Sequence, residues 1–285
     1  MRQAAGRLGS RFTVLLGILG LSPGLAAISA QKITELPWSM QDARGGFCIW
    51  YLVDPAMAPL LTDKGTTFAP AGTGSTLPNA LAQTIRDEPR FTSWIPAAIC
   101  VLSYGRITIG DNQPILATAG QPLTLVAHLI AAQSPRGAGG AGFLLLKLGS
   151  DSRVVRHQGG DPGLPIAGMT VVAGKDRGTP EDRVEFRLED TQITWVGHPS
   201  GDPSVGTTRS MSFGYAGARS TSWQGSLETT PAETHLMIGS LRIEGKSLLS
   251  KALKSSPIRA VGPIETGGTA RFLFQLVPSR SSGGN

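Results

Sequence analysis

The most specific chemical pattern in the sequence is the motif His-x-x-Gly-Asp-Pro, which occurs twice. The first copy begins at His157 and contains Asp161, and the second begins at His198 and contains Asp202. Imidazole nitrogens and carboxylate oxygens are ligands that Zn²⁺ accepts in proteins. If the two copies met in space, these four side chains would form a metal site of the kind used by hydrolases.

The same motif also has a structural interpretation. The segments 143–163 and 184–203 both have the pattern of a hairpin that ends in the motif. Gly-Asp-Pro is suited to reversing the chain, because glycine reaches unusual φ values and proline fixes φ. Both interpretations stay open at this point, and we assign no catalytic, cofactor-binding or metal-ligating residue and no cofactor.

The remaining histidines do not indicate catalysis. His128 lies within an apolar, strand-like segment, where we expect a hydrogen-bonded core side chain rather than a general base. His235 could pair with Glu233 on one face of a strand, since side chains two residues apart share a face. Neither a Gly-x-Ser-x-Gly elbow nor a His-Glu-x-x-His motif is present in the sequence.

The first thirty residues have the layout of a secretory signal peptide. Arg2, Arg7 and Arg11 precede an apolar run over 12–21, and small residues fill 26–30. That order of charge, apolar core and small residues is typical of an exported protein, and the core is too short to span a bilayer. We therefore predict a signal peptide over 1–30, with a retained N-terminal anchor as the alternative.

The charge balance argues against a nucleic-acid partner. The chain has a net charge of +6, of which the three arginines of the predicted signal supply half. Aromatic residues are not interleaved with the basic ones, as single-strand binding would require. A short basic helix over 246–254 could contact anionic lipid, so membrane contact is expected to be peripheral at most.

The two cysteines, Cys48 and Cys100, predict one disulfide. Each lies in an apolar strand-like run, over 47–53 and 98–102, and an even pair in an exported chain favours a bridge between neighbouring strands. The alternative is a pair of buried free thiols. Export and a disulfide together predict a periplasmic or secreted protein, and the excess of arginine (19) over lysine (7) suggests a bacterial one.

The periodicity predicts a mainly β protein with sandwich- or barrel-like antiparallel sheets and two short helices. Residues 122–130 have apolar side chains on both faces, which is typical of an interior strand. Residues 98–110 have the pattern of two strands joined near 103–106. The helices are expected between Thr76 and Pro89 and over 246–254.

The chain divides into segments of different composition, and the Gly-rich stretch in the middle is either a linker between two units or a long loop in one unit. The predicted segments are a signal peptide (1–30), a β-rich unit with one helix (31–133), the linker or loop (134–142), a second β-rich unit (143–278) and a flexible tail (279–285).

These observations predict an exported, non-catalytic envelope protein with a binding or structural accessory role and a protein partner. Its oligomeric state is left open. Two alternatives remain. One is an exported metal-dependent hydrolase that uses the paired His and Asp residues. The other is a periplasmic binder of a small ligand or carbohydrate that uses an exposed tryptophan.

Overall fold

Long antiparallel strands form most of the protein, as the alternating apolar pattern predicts. The computed structural model describes residues 35–62, 66–73, 77–133, 141–160, 164, 166–175, 178–216 and 222–277. All of these described residues belong to one compact unit. The strands, numbered in chain order, are β1 (Glu35–Val53), β2 (Ile95–Ile109), β3 (Ile115–Leu116), β4 (Leu123–Gln133), β5 (Ala141–Ser150), β6 (Ile166–Gly168), β7 (Val171–Lys175), β8 (Asp182–Leu188), β9 (Thr191–Val205), β10 (Arg209–Ala216), β11 (Ser222–Thr230), β12 (Glu233–Glu244), β13 (Arg259–Val261), β14 (Ile264–Thr266) and β15 (Thr269–Val277).

Seven of these strands close into a barrel. Their order around the ring is β1, β2, β4, β5, β10, β11 and β15, and β15 returns to the first residues of β1. Every neighbouring pair in this ring is antiparallel except β5 and β10, which run parallel. Closure leaves none of these seven strands as the open edge of the ring, so most of their backbone groups are paired.

A second sheet grows from the far half of β1. The first residues of β1 pair with β15, whereas Arg44 and Gly46 pair with β14. From β14 the second sheet continues through β12, β9, β8 and β7. The strand β13 pairs with β1 further along, at Ile49–Tyr51. One long strand thus belongs to both the barrel and the second sheet.

Most of the buried apolar side chains form two layers, inside and outside the barrel, and a smaller cluster lies under the first α-helix. In β4, Leu125 and Leu129 point into the barrel interior, where they join Trp38, while Val126 and Ile130 join the outer layer. That outer layer packs against the second sheet and the last helix. The prediction of an interior strand with two apolar faces over 122–130 is therefore confirmed.

The strand β2 is continuous, so the predicted break near 103–106 is wrong. Tyr104 and Arg106 keep their pairing with β1, where the register shifts instead. Gly105 lies opposite this irregularity, and a Cβ at that position would overlap the carboxylate of Asp42. The glycine therefore leaves room for the Asp42 and Arg44 side chains of the neighbouring strand and does not turn the chain.

Three α-helices occur in the described residues, one more than the sequence predicts. The two expected helices are α1 (Asn79–Asp87) and α3 (Leu248–Ser255), and the unexpected one is α2 (Arg153–Gly160). The hydroxyl of Ser247 accepts a hydrogen bond from the backbone N–H of Ser250 at 3.1 Å and caps the start of α3. Short 3-10 turns lie at Ala58–Leu60, Ala71–Thr73 and Pro89–Ser93.

Several predicted segments fall outside the described residues. These are the signal peptide over 1–30, most of the Gly-rich segment 134–142 and the tail over 279–285. The α-helices that the structure does describe have eight or nine residues, and none has the length or apolarity to cross a membrane.

Candidate functional site

The two His-x-x-Gly-Asp-Pro motifs have different local structures. His157 lies in the last turn of α2, so the hairpin predicted over 143–163 is replaced by a strand followed by a helix. His198 lies within β9, where the motif forms an irregularity in the strand: Gly201 has a positive φ of 72° and the register with β12 shifts beside it. The second copy therefore bulges the strand and does not reverse the chain.

The metal interpretation gains no support from the described part of the chain. Within it, no group of three or more His, Cys, Asp or Glu side chains is placed to hold a metal ion. The imidazole of His198 instead lies 3.8 Å from the carboxylate of Glu181, measured from Nδ1 to Oε1, and its side chain is half exposed. Asp161 lies outside the described residues.

A cavity of about 510 Å³ lies between the barrel and β14. Barrel strands β1, β2, β5, β10 and β11 supply most of its wall, and the segment entering β14 supplies the rest. A concave, mainly apolar pocket of this size is typical of a small-molecule site. Its lining residues are Gly46, Phe47, Cys48, Trp50, Cys100, Leu102, Gly142, Phe143, Arg209, Ser210, Met211, Ser212, Leu227, Thr229, Gly262, Pro263 and Glu265.

One pair of opposite charges lies in this apolar wall. Nη1 of Arg209 is 3.4 Å from Oε1 of Glu265. The arginine side chain is 52% exposed, whereas that of the glutamate is only 16% exposed. The guanidinium is therefore available to solvent and to an incoming ligand, and the carboxylate is the enclosed partner.

Backbone pairing on both sides holds Glu265 in place. Its strand β14 pairs with β1, opposite Gly46, and with β12, opposite Thr234. Arg209 begins β10, where it pairs with Thr229 of β11. The two charges thus come from different parts of the chain, and they meet because β14 runs beside the barrel.

Burial raises the pKa of the Glu265 carboxyl, and the positive charge of Arg209 acts in the opposite direction. A carboxyl shifted in this way exchanges its proton nearer to neutral pH than an exposed glutamate does. Tyr104 is also near this charge: burial, and then the negative charge of Glu265, raises the pKa of its phenol. A buried carboxyl of raised pKa in a cleft is a common property of functional sites.

Aromatic rings and the disulfide form much of the apolar wall. The rings of Trp50 and Phe143 meet edge to face with centroids 5.8 Å apart. Cys48 and Cys100 form the predicted disulfide, so that prediction is confirmed. The two cysteines lie directly opposite each other on β1 and β2, and both line the cavity.

The other histidines behave as the sequence predicts. His128 is buried in the outer layer, and its Nε2 lies 2.7 Å from the hydroxyl of Tyr51. Nε2 of His235 lies 3.5 Å from the Glu233 carboxylate. Neither histidine lines the cavity.

Sequence reasoning missed Arg209 and Glu265. Both residues lie in short polar or mixed segments without a motif. The only local signal is that Glu265 is the single charged residue between Val261 and Thr266, a stretch otherwise composed of apolar residues, glycine and proline. Such a charge indicates a partner, but its position in the chain does not identify the partner.

No protein-family model and no curated protein matches the chain. Among solved structures, an acetoacetate decarboxylase-like enzyme from Sphingomonas wittichii RW1 is similar at 12% identity and a TM-score of 0.40, over 85% of this chain and 90% of that one. Acetoacetate decarboxylase from Legionella pneumophila is similar at 11% identity and a TM-score of 0.45, over 84% of each chain. The enduracididine biosynthesis enzyme MppR complexed with pyruvate is similar at 12% identity and a TM-score of 0.40, over 90% of this chain and 93% of that one.

These neighbours correct one prediction. They are enzymes, which contradicts the non-catalytic envelope role predicted from the sequence. At TM-scores below 0.5 they assign no reaction, substrate or residue role to this chain. A function for this chain must therefore be derived from the cavity and its charge pair.

Proposed function

We propose that the protein is an enzyme that binds a small, mostly apolar molecule with one anionic group in the cavity between the barrel and β14. Arg209 binds the anion, and Glu265 exchanges a proton with the bound molecule. The observation that carries this proposal is the Arg209–Glu265 pair, 3.4 Å apart in a wall that is otherwise largely apolar.

The charge pair links anion binding to proton transfer. In the free protein, Arg209 stabilises the ionised form of Glu265, while burial opposes ionisation. A ligand anion that binds the guanidinium of Arg209 weakens its ion pair with Glu265 and brings a second negative charge close to the carboxylate. Both changes raise the pKa of Glu265, so it takes up a proton as the anion binds. The protonated carboxyl can then donate that proton to the ligand as a general acid.

The binding step can be tested with two fluorescent probes that differ in one group. 8-Anilinonaphthalene-1-sulfonate carries a sulfonate, and N-phenyl-1-naphthylamine has the same ring system without it. We expect Arg209→Gln to weaken binding of the sulfonate about tenfold, because a charge-assisted contact is lost, and to leave the neutral probe nearly unchanged. Arg242→Gln is the matched control, since Arg242 pairs with Glu244 on β12 and does not line the cavity.

The proton step needs a separate measurement. Binding of the sulfonate probe in weakly buffered solution should take up protons in the wild type and not in Glu265→Gln. Conversion of apolar carboxylic, sulfonic and phosphonic acids, followed by NMR, should be lost in the same variant. The proposal would be contradicted if Arg209→Gln lowered the affinity for both probes equally, or if Glu265→Gln still took up protons on binding the sulfonate probe.

We also propose that the protein is exported to the bacterial envelope. The proposal is supported by the basic residues and apolar run of residues 1–30 and by the Cys48–Cys100 disulfide, which persists in oxidising compartments. Mass spectrometry of the protein from its own cells tests it. A periplasmic or secreted chain shortened by 26 to 30 residues would support export, whereas a full-length cytosolic chain with two free thiols would contradict it.

A further inference from the structure

The Cys48–Cys100 disulfide lies in the cavity wall and joins two strands that are also paired through their backbones. Pairing between β1 and β2 is continuous from Gly46–Leu102 through the disulfide to Val53–Ile95. Backbone hydrogen bonds therefore hold the two strands together on both sides of the bridge. We expect this ladder to persist when the S–S bond is broken.

The neighbours of the disulfide are the residues that shape the cavity. Trp50 lies two residues after Cys48, and Leu102 two residues after Cys100, so their side chains share the cysteines' face of the strands. All four residues line the cavity. Cys100 is only 1% exposed, whereas Cys48 is half-buried. A small molecule in the cavity therefore reaches the bridge through the wall that also contacts the ligand.

We propose that the Cys48–Cys100 disulfide is a redox-sensitive part of the cavity wall and that its reduction by a small dithiol weakens ligand binding. This inference rests on the proposed function, because it concerns the same cavity. It adds a chemical class of regulator, a small dithiol, that acts from inside the binding site.

The exchange proceeds in two steps. A thiolate of the dithiol attacks one sulfur of the bridge, which forms a mixed disulfide and releases the other cysteine as a thiolate. The second thiol of the reagent then closes its own disulfide and releases the first cysteine. The protein gains two electrons and two protons, and the dithiol is oxidised to a disulfide.

Reduction changes the shape of the wall because two unbonded thiols need more room than one disulfide. The paired backbone on both sides keeps the Cα positions close, so the sulfur atoms move toward the cavity. Trp50 and Leu102, which flank them, must adjust as well. We expect binding of 8-anilinonaphthalene-1-sulfonate to weaken about fivefold, the effect of a modest overpacking of an apolar site.

The test compares probe affinity in oxidised and dithiothreitol-treated protein, with thiols counted without denaturant and near-UV circular dichroism recorded on each sample. The double variant Cys48→Ser, Cys100→Ser is the matched control, since dithiothreitol cannot change its wall. In the wild type we expect two thiols to appear, weaker probe binding, and a near-UV spectrum that is altered but retained, because the disulfide signal is lost and Trp50 adjusts. In the double variant we expect none of these changes.

Each contrary result identifies what has failed. If dithiothreitol releases no thiols from the folded protein, or if reduction abolishes the near-UV spectrum, the redox inference is overturned. It is overturned equally if two thiols appear and probe affinity does not change. By contrast, oxidised protein that binds neither fluorescent probe refutes the proposed function itself.

Discussion

The hydroxyl of Tyr51 and Nε2 of His128 lie 2.7 Å apart in the apolar layer outside the barrel. Tyr51 is fully buried, and His128 is 6% exposed. Burial, followed by the nearby positive charge of Lys147, lowers the pKa of His128 to about 4. The imidazole is therefore neutral at neutral pH and shares one hydrogen bond with the tyrosine hydroxyl, in which the tautomer of the imidazole sets the donor.

This pair makes stability depend on pH. In the unfolded chain the imidazole has its ordinary pKa of 6.5, so it binds a proton there before it does in the folded protein. The contribution of the neutral His128 to the free energy of unfolding is fully present well above pH 6.5. It is lost as the pH drops toward 4, by up to about 3 kcal/mol. Urea unfolding between pH 7 and 4.5 should show a shallower pH dependence in His128→Gln than in the wild type.

Removal of the tyrosine hydroxyl provides the control for that measurement. Tyr51→Phe leaves the imidazole buried, and burial is the main cause of its lowered pKa, so this variant should keep the pH dependence of the wild type. If His128→Gln lost as much stability on acidification as the wild type, the buried imidazole would not be its source.

Two adjacent glycines at the end of α2 are expected to respond oppositely to alanine. A Cβ at Gly159 would lie 2.6 Å from Cζ2 of Trp38 and overlap Ile166, whereas a Cβ at Gly160 would have no atom within 4 Å. Gly159→Ala should therefore destabilise the protein by about 1 to 3 kcal/mol, despite the better helix propensity of alanine. Gly160→Ala should be neutral or slightly stabilising, and thermal unfolding of both variants decides the matter.

Anion affinity in the cavity should increase as the pH falls through the raised pKa of Glu265. Protonation of this carboxyl removes the partner of Arg209, so the guanidinium is free to bind the sulfonate probe. Titrations of the probe across the acidic range should show this rise in the wild type. Glu265→Gln should bind the probe tightly at every pH, and a pH dependence preserved in that variant would exclude Glu265 as the titrating group.

Reduction of the disulfide should lower the free energy of unfolding while leaving the protein folded. The bridge spans 52 residues of sequence, and a closed loop of that length is worth about 4 kcal/mol in the chain-entropy model. The urea midpoint should therefore fall on treatment with dithiothreitol, and the Cys48→Ser, Cys100→Ser variant should show no further fall. If oxidised and reduced wild type had equal urea midpoints, the disulfide would contribute nothing to the free energy of unfolding.

The sequence predicts features that depend on local pattern. The disulfide follows from two cysteines in apolar strand-like runs, and the interior position of β4 follows from its two apolar faces. The helix α3 follows from its leucine spacing and its serine cap, although it begins at Leu248 rather than at 246. For the strand and the helix, the residues that determine the structure lie within one segment, and the disulfide follows because the chain has only two cysteines.

Features that depend on distant parts of the chain were not predictable in this way. Gly105 has the pattern of a turn, but the irregularity of the partner strand near Asp42 determines its role. The helix α2 occupies a segment with hairpin periodicity. The pairing of Arg209 with Glu265 exists only because β14, which lies between β1 and β12 in the second sheet, passes close to the start of β10, and no local signal encodes that arrangement.

The closure of the barrel by β15 has a consequence for how the chain reaches this structure. The contact between Gln275 and Glu35 joins residues separated by 240 positions, so the ring closes through one of the most non-local pairings in the molecule. Such pairings form slowly, because the entropy of a large loop is lost before the contact is gained. Until then the beginning of β1 and the outer side of β11 are open edges that can pair with other chains. The interval before β15 docks is therefore the period in which this protein is most exposed to aggregation.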